Sequence, residues 1–225
     1  MSLSTPFSNA PTDSSSPRYV FRRVVVYCGS NFGDTPAYYA AAQALGKALA
    51  QRNITLVYGG GNVGLMGTVA DSVIAHCGQT IGVIPRFLKD KEVAHQGLSQ
   101  LIITDDMASR KLKMIEFGDA FIALPGGIGT YEELFEVLSL AQLRQHQKPI
   151  GVLNIEGFFD PLLQLLAHTA AAGFMPDANL QLICVADDID VLLQKMANYQ
   201  FIDAQKWVKP DWLDDNDTYS VPKFI

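Results

Sequence analysis

The sequence predicts an α/β fold: a single doubly wound, Rossmann-like domain with a mostly parallel seven-stranded sheet and helices on both faces. Three observations lead there. Short apolar runs alternate with helix-like stretches across residues 19–201. Most runs are apolar at consecutive positions, as strands covered on both faces require. Two of the turns that leave strands for helices are glycine-rich, at the strand ends where such sheets bind ligands.

The elements follow in order. "RRVVVYCGS" is a β-branched strand ending at Gly29. Thr35 can cap the next helix and Pro36 fits its first turn, with Ala-rich sequence continuing to Gln51. "ITLVYGG" is the second strand, and "GLMGTVADSVIAHCG" a helix closed by Gly78. "TIGVIP" is the third strand. Residues 86–98 have no clean period and read as a long, mostly polar loop. "SQLIITD" is the fourth strand and "DMASRKLKMIEFG" its helix. "DAFIALP" and "TYEELFEVLSLAQLRQ" are the fifth pair, "PIGVLN" and "FFDPLLQLLAHTAAAG" the sixth, "LQLICVA" and "DIDVLLQKMANY" the seventh. Residues 1–18, rich in Ser and Pro, are expected to be a disordered tail. Residues 202–225 form an acidic tail carrying both tryptophans.

Composition narrows the function classes. With 225 residues, 48% hydrophobic, the chain can bury one sizeable core. A net charge of -6 argues against a dedicated nucleic-acid binder. No apolar run approaches a membrane span, and the N-terminus lacks the pattern of a secretory signal. Cys28, Cys77 and Cys184 are far apart and without a CxxC pair. They read as buried reduced thiols, consistent with a cytoplasmic protein. No histidine pair has metal-ligand spacing, so neither a metal nor a cofactor is expected.

Four stretches carry possible chemistry. In "YGGGNVGLMG", Gly59, Gly61 and Gly64 match GxGxxG. Either Gly60 and Gly61 let the backbone approach an anion at a helix N-terminus, or the turn needs small residues for packing. No Walker lysine follows, and no acidic residue ends the next strand, so a dinucleotide or Walker A reading is unsupported. In "PGGIGT", Gly126, Gly127 and Gly129 can curl the backbone so that N–H groups converge on a phosphate. Thr130 and Glu133 form T-x-x-E, a capping box, which would explain Glu133 without chemistry. Glu132 and Glu136 fall on the face opposite the apolar positions and read as solvated. At about 100° per residue Glu133 lies on the flank nearer the mouth. Arg110 and Lys111 sit where cations oppose the helix macrodipole, either a hint of function or a solvated basic face. Glu92 and His95 lie in the 86–98 loop.

"GGGNVGLMG", "SRK" and "PGGIGTYEE", in this order and spacing, resemble the LOG ("Lonely guy") family of cytokinin-activating enzymes, whose bacterial relatives were long labelled possible lysine decarboxylases. The similarity runs from about residue 23 to 197. It implies hydrolysis of the N-glycosidic bond of a nucleoside 5'-monophosphate, AMP or an N6-substituted AMP, to free base and ribose 5-phosphate. It implies Arg110 and Glu133 as the catalytic pair. It places other substrate contacts at Glu92, Lys111, the stretch Gly127, Ile128, Gly129, Thr130, Tyr131 and Glu132, and Ser139. It also implies a homodimer with its sites near the subunit interface. Ile128 departs from the aromatic common at its position, and Ser139 from threonine; both bear on substrate preference. Decarboxylation has no support in these residues, because it normally needs pyridoxal phosphate on a Schiff-base lysine.

Glycosidic cleavage builds positive charge on the sugar, which carboxylates stabilise in glycosidases. Glu133 would take that role or activate water, and the helix N-terminus should favour its ionised form. Arg110 would orient the nucleotide and offset negative charge. The rival expectation is a binding module of the same fold, such as a carrier of a phosphorylated pterin, which needs the glycine cradle but not the charged pair.

Overall fold

β1 (Arg23–Tyr27) lies at the hinge of a sheet that grows outward from it in both directions. The computed structural model describes residues 17–89 and 94–203. Glu92, both tryptophans and nearly all of each expected tail lie outside the described residues.

The other strands are β2 (Thr55–Tyr58), β3 (Thr80–Pro85), β4 (Gln100–Thr104), β5 (Ala120–Ala123), β6 (Ile150–Leu153) and β7 (Ile183–Ala186). They form one seven-stranded sheet in the order β4-β3-β2-β1-β5-β6-β7, with every pairing parallel. The helices are α1 (Pro36–Gln51), α2 (Gly64–Ala75), the short α3 (Arg86–Lys89), α4 (Met107–Phe117), α5 (Ile128–Gln142), α6 (Asp160–Ala171) and α7 (Ile189–Ala197). The strands found are the strands expected.

The pleat sorts β1 between two cores. Val24 and Val26 join Leu45, Leu49, Val69 and Leu192 from α1, α2 and α7. Val25 and Tyr27 join Met114, Leu134, Val137 and Leu162 from α4, α5 and α6. Successive strand residues point to opposite faces, so an unbroken apolar run feeds both layers. Asp119 locks the start of β1 beside β5, its Oδ2 accepting from the backbone N–H of Arg22 (2.9 Å) and Arg23 (2.8 Å). The apolar area hidden this way, at roughly 25 cal/mol per Å², is the main stabilising term of the fold.

Thr35 caps α1 as expected, its hydroxyl accepting from Ala37 N, with Pro36 in the first turn. Other expectations need correction. α5 begins at Ile128, so Thr130 is inside the helix and 3% exposed. The N-cap is Gly127 with no side-chain cap bond, and the Thr130–Glu133 box does not form. The buried Thr130 side chain is tucked against Gly126, and that tertiary contact overrides the local pattern. The 86–98 stretch contains α3 and a bridge between Gly61 and Ala94 rather than loop alone. α2 ends at Ala75, before Gly78. Cys28 and Cys184 are buried free thiols, but Cys77 is exposed, because it sits with φ +58 in the turn beyond α2.

Gly64, at the start of α2, is fixed by its neighbours. Its φ is +56, and a Cβ there would overlap the carbonyl of Ser30 in the loop after β1. Gly64→Ala combines a left-handed backbone with a collision against main chain. It should cost roughly 3 kcal/mol and lower the melting temperature by roughly 6–12 °C. A melt within two degrees of the parent would show that the contact is not rigid.

Candidate active site

The strand order reverses between β1 and β5, which opens a crevice at their C-terminal ends. The loops leaving these strands are stitched together: Gly29 N donates to Pro125 O at 3.0 Å, and Leu124 N to Tyr27 O at 2.9 Å. Gly126 sits under this stitch. A Cβ there would overlap Thr130 Oγ1 and come within 2.7 Å of Gly29 N, so Gly126 is glycine for packing. Gly127 and Gly129 differ, since a Cβ on either would meet nothing within 4 Å. No atom of the described residues requires them to be small. Their bareness leaves room for a ligand to reach the first turn of α5, whose N–H groups and dipole favour an anion. Ile128, between them, is 88% exposed.

Behind this opening lies a charged pair. Asp106 caps α4, accepting from Ser109 N at 2.7 Å, and these main-chain N–H bonds hold its carboxyl below the usual range. One turn on, Arg110 turns inward and is 6% exposed. Its Nη2 lies 3.8 Å from Glu133 Oε1 on α5, and the Glu133 side chain is 12% exposed. Among the described residues, buried Arg110 Nε has no hydrogen-bond partner. Burial pushes the Glu133 carboxyl from an ordinary 4.5 up to about 7, against the opposing pull of the Arg110 charge. The expected preference for the ionised form is therefore overturned, because desolvation outweighs the helix end. Burial, reinforced by the Glu133 charge, also raises the neighbouring Tyr27 and Cys28.

A second, outer rung joins the same two helices. Lys111 Nζ bonds Glu132 and lies 3.2 Å from Glu136 Oε1. The hydrogen bond to Glu132 raises the Lys111 ammonium above its ordinary value. Glu132 and Glu136 thus grip a lysine rather than standing free in solvent. Being partly exposed, this rung contributes about 0–1 kcal/mol to stability.

The remaining expected residues divide. The Tyr131 ring stacks on Phe158 (6.5 Å, 5° between planes) and meets Phe159 edge-on, so it braces the first turn of α5. Gly60 O accepts from His95 N at 3.0 Å and Gly61 bridges to Ala94, which ties this loop to the 94–95 segment. The His95 ring is held by Asp71 at 3.0 Å. Ser139 is not brought to the pair. It lies two turns along α5 and lines a groove of about 300 Å³ with Phe135, Leu165 and Phe174. Sequence reasoning missed Glu136, Tyr27, Gly59 and Met107 as neighbours of the pair. The i, i+4 spacing of Glu132 and Glu136 and the i, i+3 spacing of Met107 and Arg110 were the local signals for two of them.

A family model described as "possible lysine decarboxylase" matches residues 66–196. A rice (Oryza sativa subsp. japonica) protein named probable cytokinin riboside 5'-monophosphate phosphoribohydrolase LOGL1 is 45% identical over 193 residues, 85% of this chain and 86% of that protein. The chain belongs to the LOG family. Rice LOG, named cytokinin riboside 5'-monophosphate phosphoribohydrolase, is 45% identical, covering 80% of this chain and 74% of its own. Arabidopsis thaliana LOG2, with the same enzyme name, is 42% identical over 80% of this chain and 84% of its own. Among solved structures, the molybdenum cofactor binding protein of Rippkaea orientalis superposes with a TM-score of 0.57 at 23% identity. It spans 77% of this LOG-family chain and 94% of its own, and shares the fold.

Proposed function

We propose that this protein hydrolyses the N-glycosidic bond of a nucleoside 5'-monophosphate, AMP or an N6-substituted AMP, giving free base and ribose 5-phosphate. The enzyme named for its LOG relatives supports this reading. The observation that carries it is the buried Arg110–Glu133 pair directly behind an unobstructed helix N-terminus. The 5'-phosphate sits at the bare turn of Gly127 and Gly129. Glu133, at about 7, is ionised in part of the molecules near neutral pH and is poised to accept a proton. It takes one from the attacking water as the C1'–N bond breaks. The electron pair of that bond leaves with the base, which takes up a proton, so charge balances. Arg110 offsets the negative charge of the leaving base or phosphate from a buried position, where charge stabilisation is strong. No metal or cofactor enters this scheme.

Incubation with AMP and with an N6-substituted AMP, followed by detection of base and ribose 5-phosphate, tests the reading. AMP binding with no product from any nucleoside monophosphate would favour the carrier alternative.

We also infer a cytoplasmic homodimer. Among the described residues no helix is long and apolar enough to cross a membrane. The groove between α5 and α6 presents Phe174, 85% exposed, beside Leu165 and Phe135. A second copy seated there would cover this surface. Phe174→Asp is expected to convert dimers to monomers in sedimentation experiments. Parent protein sedimenting as a monomer at micromolar concentration would remove the proposal.

A further inference from the structure

Gly59 is the first residue beyond β2. A Cβ built on it would overlap Nη2 of Arg110 and stand 3.5 Å from its Cζ and 3.2 Å from Met66 Sδ. On another side, Arg110 Nη1 meets Met107 Sδ at 3.7 Å. The guanidinium therefore rests on bare backbone, with the Met107 thioether on one side. Gly59 is 51 residues from Arg110 in sequence and belongs to the loop that resembles an anion cradle.

The seat has little freedom to retreat. Gly60 O is held by His95 N, and Gly61 is bridged to Ala94. A Cβ on Gly60 would lie 3.4 Å from Gly82 Cα and 3.3 Å from Ile84 Cβ, so the loop is already backed onto β3. Gly64 is pressed against Ser30 main chain. Against a rigid loop, an added methyl group moves whatever is cheapest to move. Here that is the end of a long arginine side chain.

We propose that Gly59 is a positioning residue: its missing side chain is the seat that holds the Arg110 guanidinium against Glu133. The first glycine loop then serves the arginine rather than a phosphate. The kinetic consequence rests on the hydrolase reading, but the placement of Arg110 does not.

Two readouts separate these. Phenylglyoxal modification of Arg110, followed by mass spectrometry, needs no substrate. Buried Arg110 should react slowly in the parent and at least about tenfold faster in Gly59→Ala once the guanidinium is displaced, because a change in Arg placement changes its access to solvent. The same variant should lose about a hundredfold in kcat/KM on the substrate that the parent turns over, the scale of a 1 Å misplacement. Its melting temperature should stay well above that of Gly64→Ala, whose collision is with main chain. Gly59→Ser should match Gly59→Ala, since the Cβ and not the polarity is at fault. Unchanged labelling of Arg110 in Gly59→Ala would overturn the proposal, whatever the activity. So would a melt as low as that of Gly64→Ala. Faster labelling together with a parent inactive on every nucleotide would leave the seat standing and remove the hydrolase reading.

Discussion

Glu133→Gln should reduce turnover on the order of a thousandfold while AMP still binds. The amide keeps the size of the carboxyl but can neither accept a proton nor face the sugar cation with a negative charge. A second effect has the opposite sign. Below about pH 4.5 Glu133 is protonated whether the chain is folded or not, and burial costs it nothing. Between there and about 7 the folded chain keeps a proton that the unfolded chain releases. Above about 7 both are ionised and the fold carries the full desolvation penalty, roughly 3 kcal/mol. The parent therefore loses this much stability as pH rises through that window, and Glu133→Gln should not. At pH 8 the variant should melt roughly 6–12 °C higher than the parent, with no such difference at pH 4. The parent's kcat/KM should rise with pH to a plateau above about 7, the limb reporting Glu133 under the influence of Arg110, Glu132, Lys111 and Glu136. Near-parent turnover in Glu133→Gln would remove its catalytic role. An unchanged melt at pH 8 would show that the carboxyl is not buried at a cost.

The pair was only half legible in the sequence, because burial is set by the whole fold rather than by neighbours along the chain. The order of strands and helices was legible because apolar runs long enough to span a sheet and turns rich in glycine are local facts. Thr35 and Pro36 announced α1 for the same reason. The T-x-x-E pattern at Thr130 is just as local and misled, because Ile128 and Gly129 adopt helical geometry and the Thr130 side chain is buried under Gly126. Depth is not local either. The position of Glu133 near a helix N-terminus suggested an ionised group, whereas its pKa is set by layers contributed by β1, α4 and α5. The charged partners of Arg110 and Lys111, Glu133 and Glu132, and the Gly59 backbone beneath the guanidinium come from 21 or more residues away. No periodicity joins them. The two glycine loops look alike as sequence, and only the space around each α-carbon distinguishes the loop that packs from the loop that stands open.

Arg110→Ala should lose about a hundredfold to a thousandfold in kcat/KM, and the loss should depend on pH. The Arg110 charge is what holds the Glu133 carboxyl down to about 7 against burial. Without it the carboxyl should titrate roughly one to three units higher. Near neutral pH the variant therefore lacks both the cation and most of the base. The acid limb of kcat/KM should move upward by the same amount, so part of the activity returns at pH 9. Stability should follow the same titration. From about 4.5 up to the new value the folded variant keeps a proton that its unfolded chain releases, so stability falls across that whole window and levels off above it. Above the new value ionised Glu133 has no partner beside it, and breaking a buried pair in this way costs roughly 3–5 kcal/mol. The melting temperature of Arg110→Ala should thus go on falling to a higher pH than that of the parent. Arg110→Lys should restore part of the limb but little of the rate, since an ammonium supplies charge without the planar fork. An acid limb that stays at about 7 in Arg110→Ala would mean that the two side chains do not sense each other, and the 3.8 Å pair could not be the reacting centre.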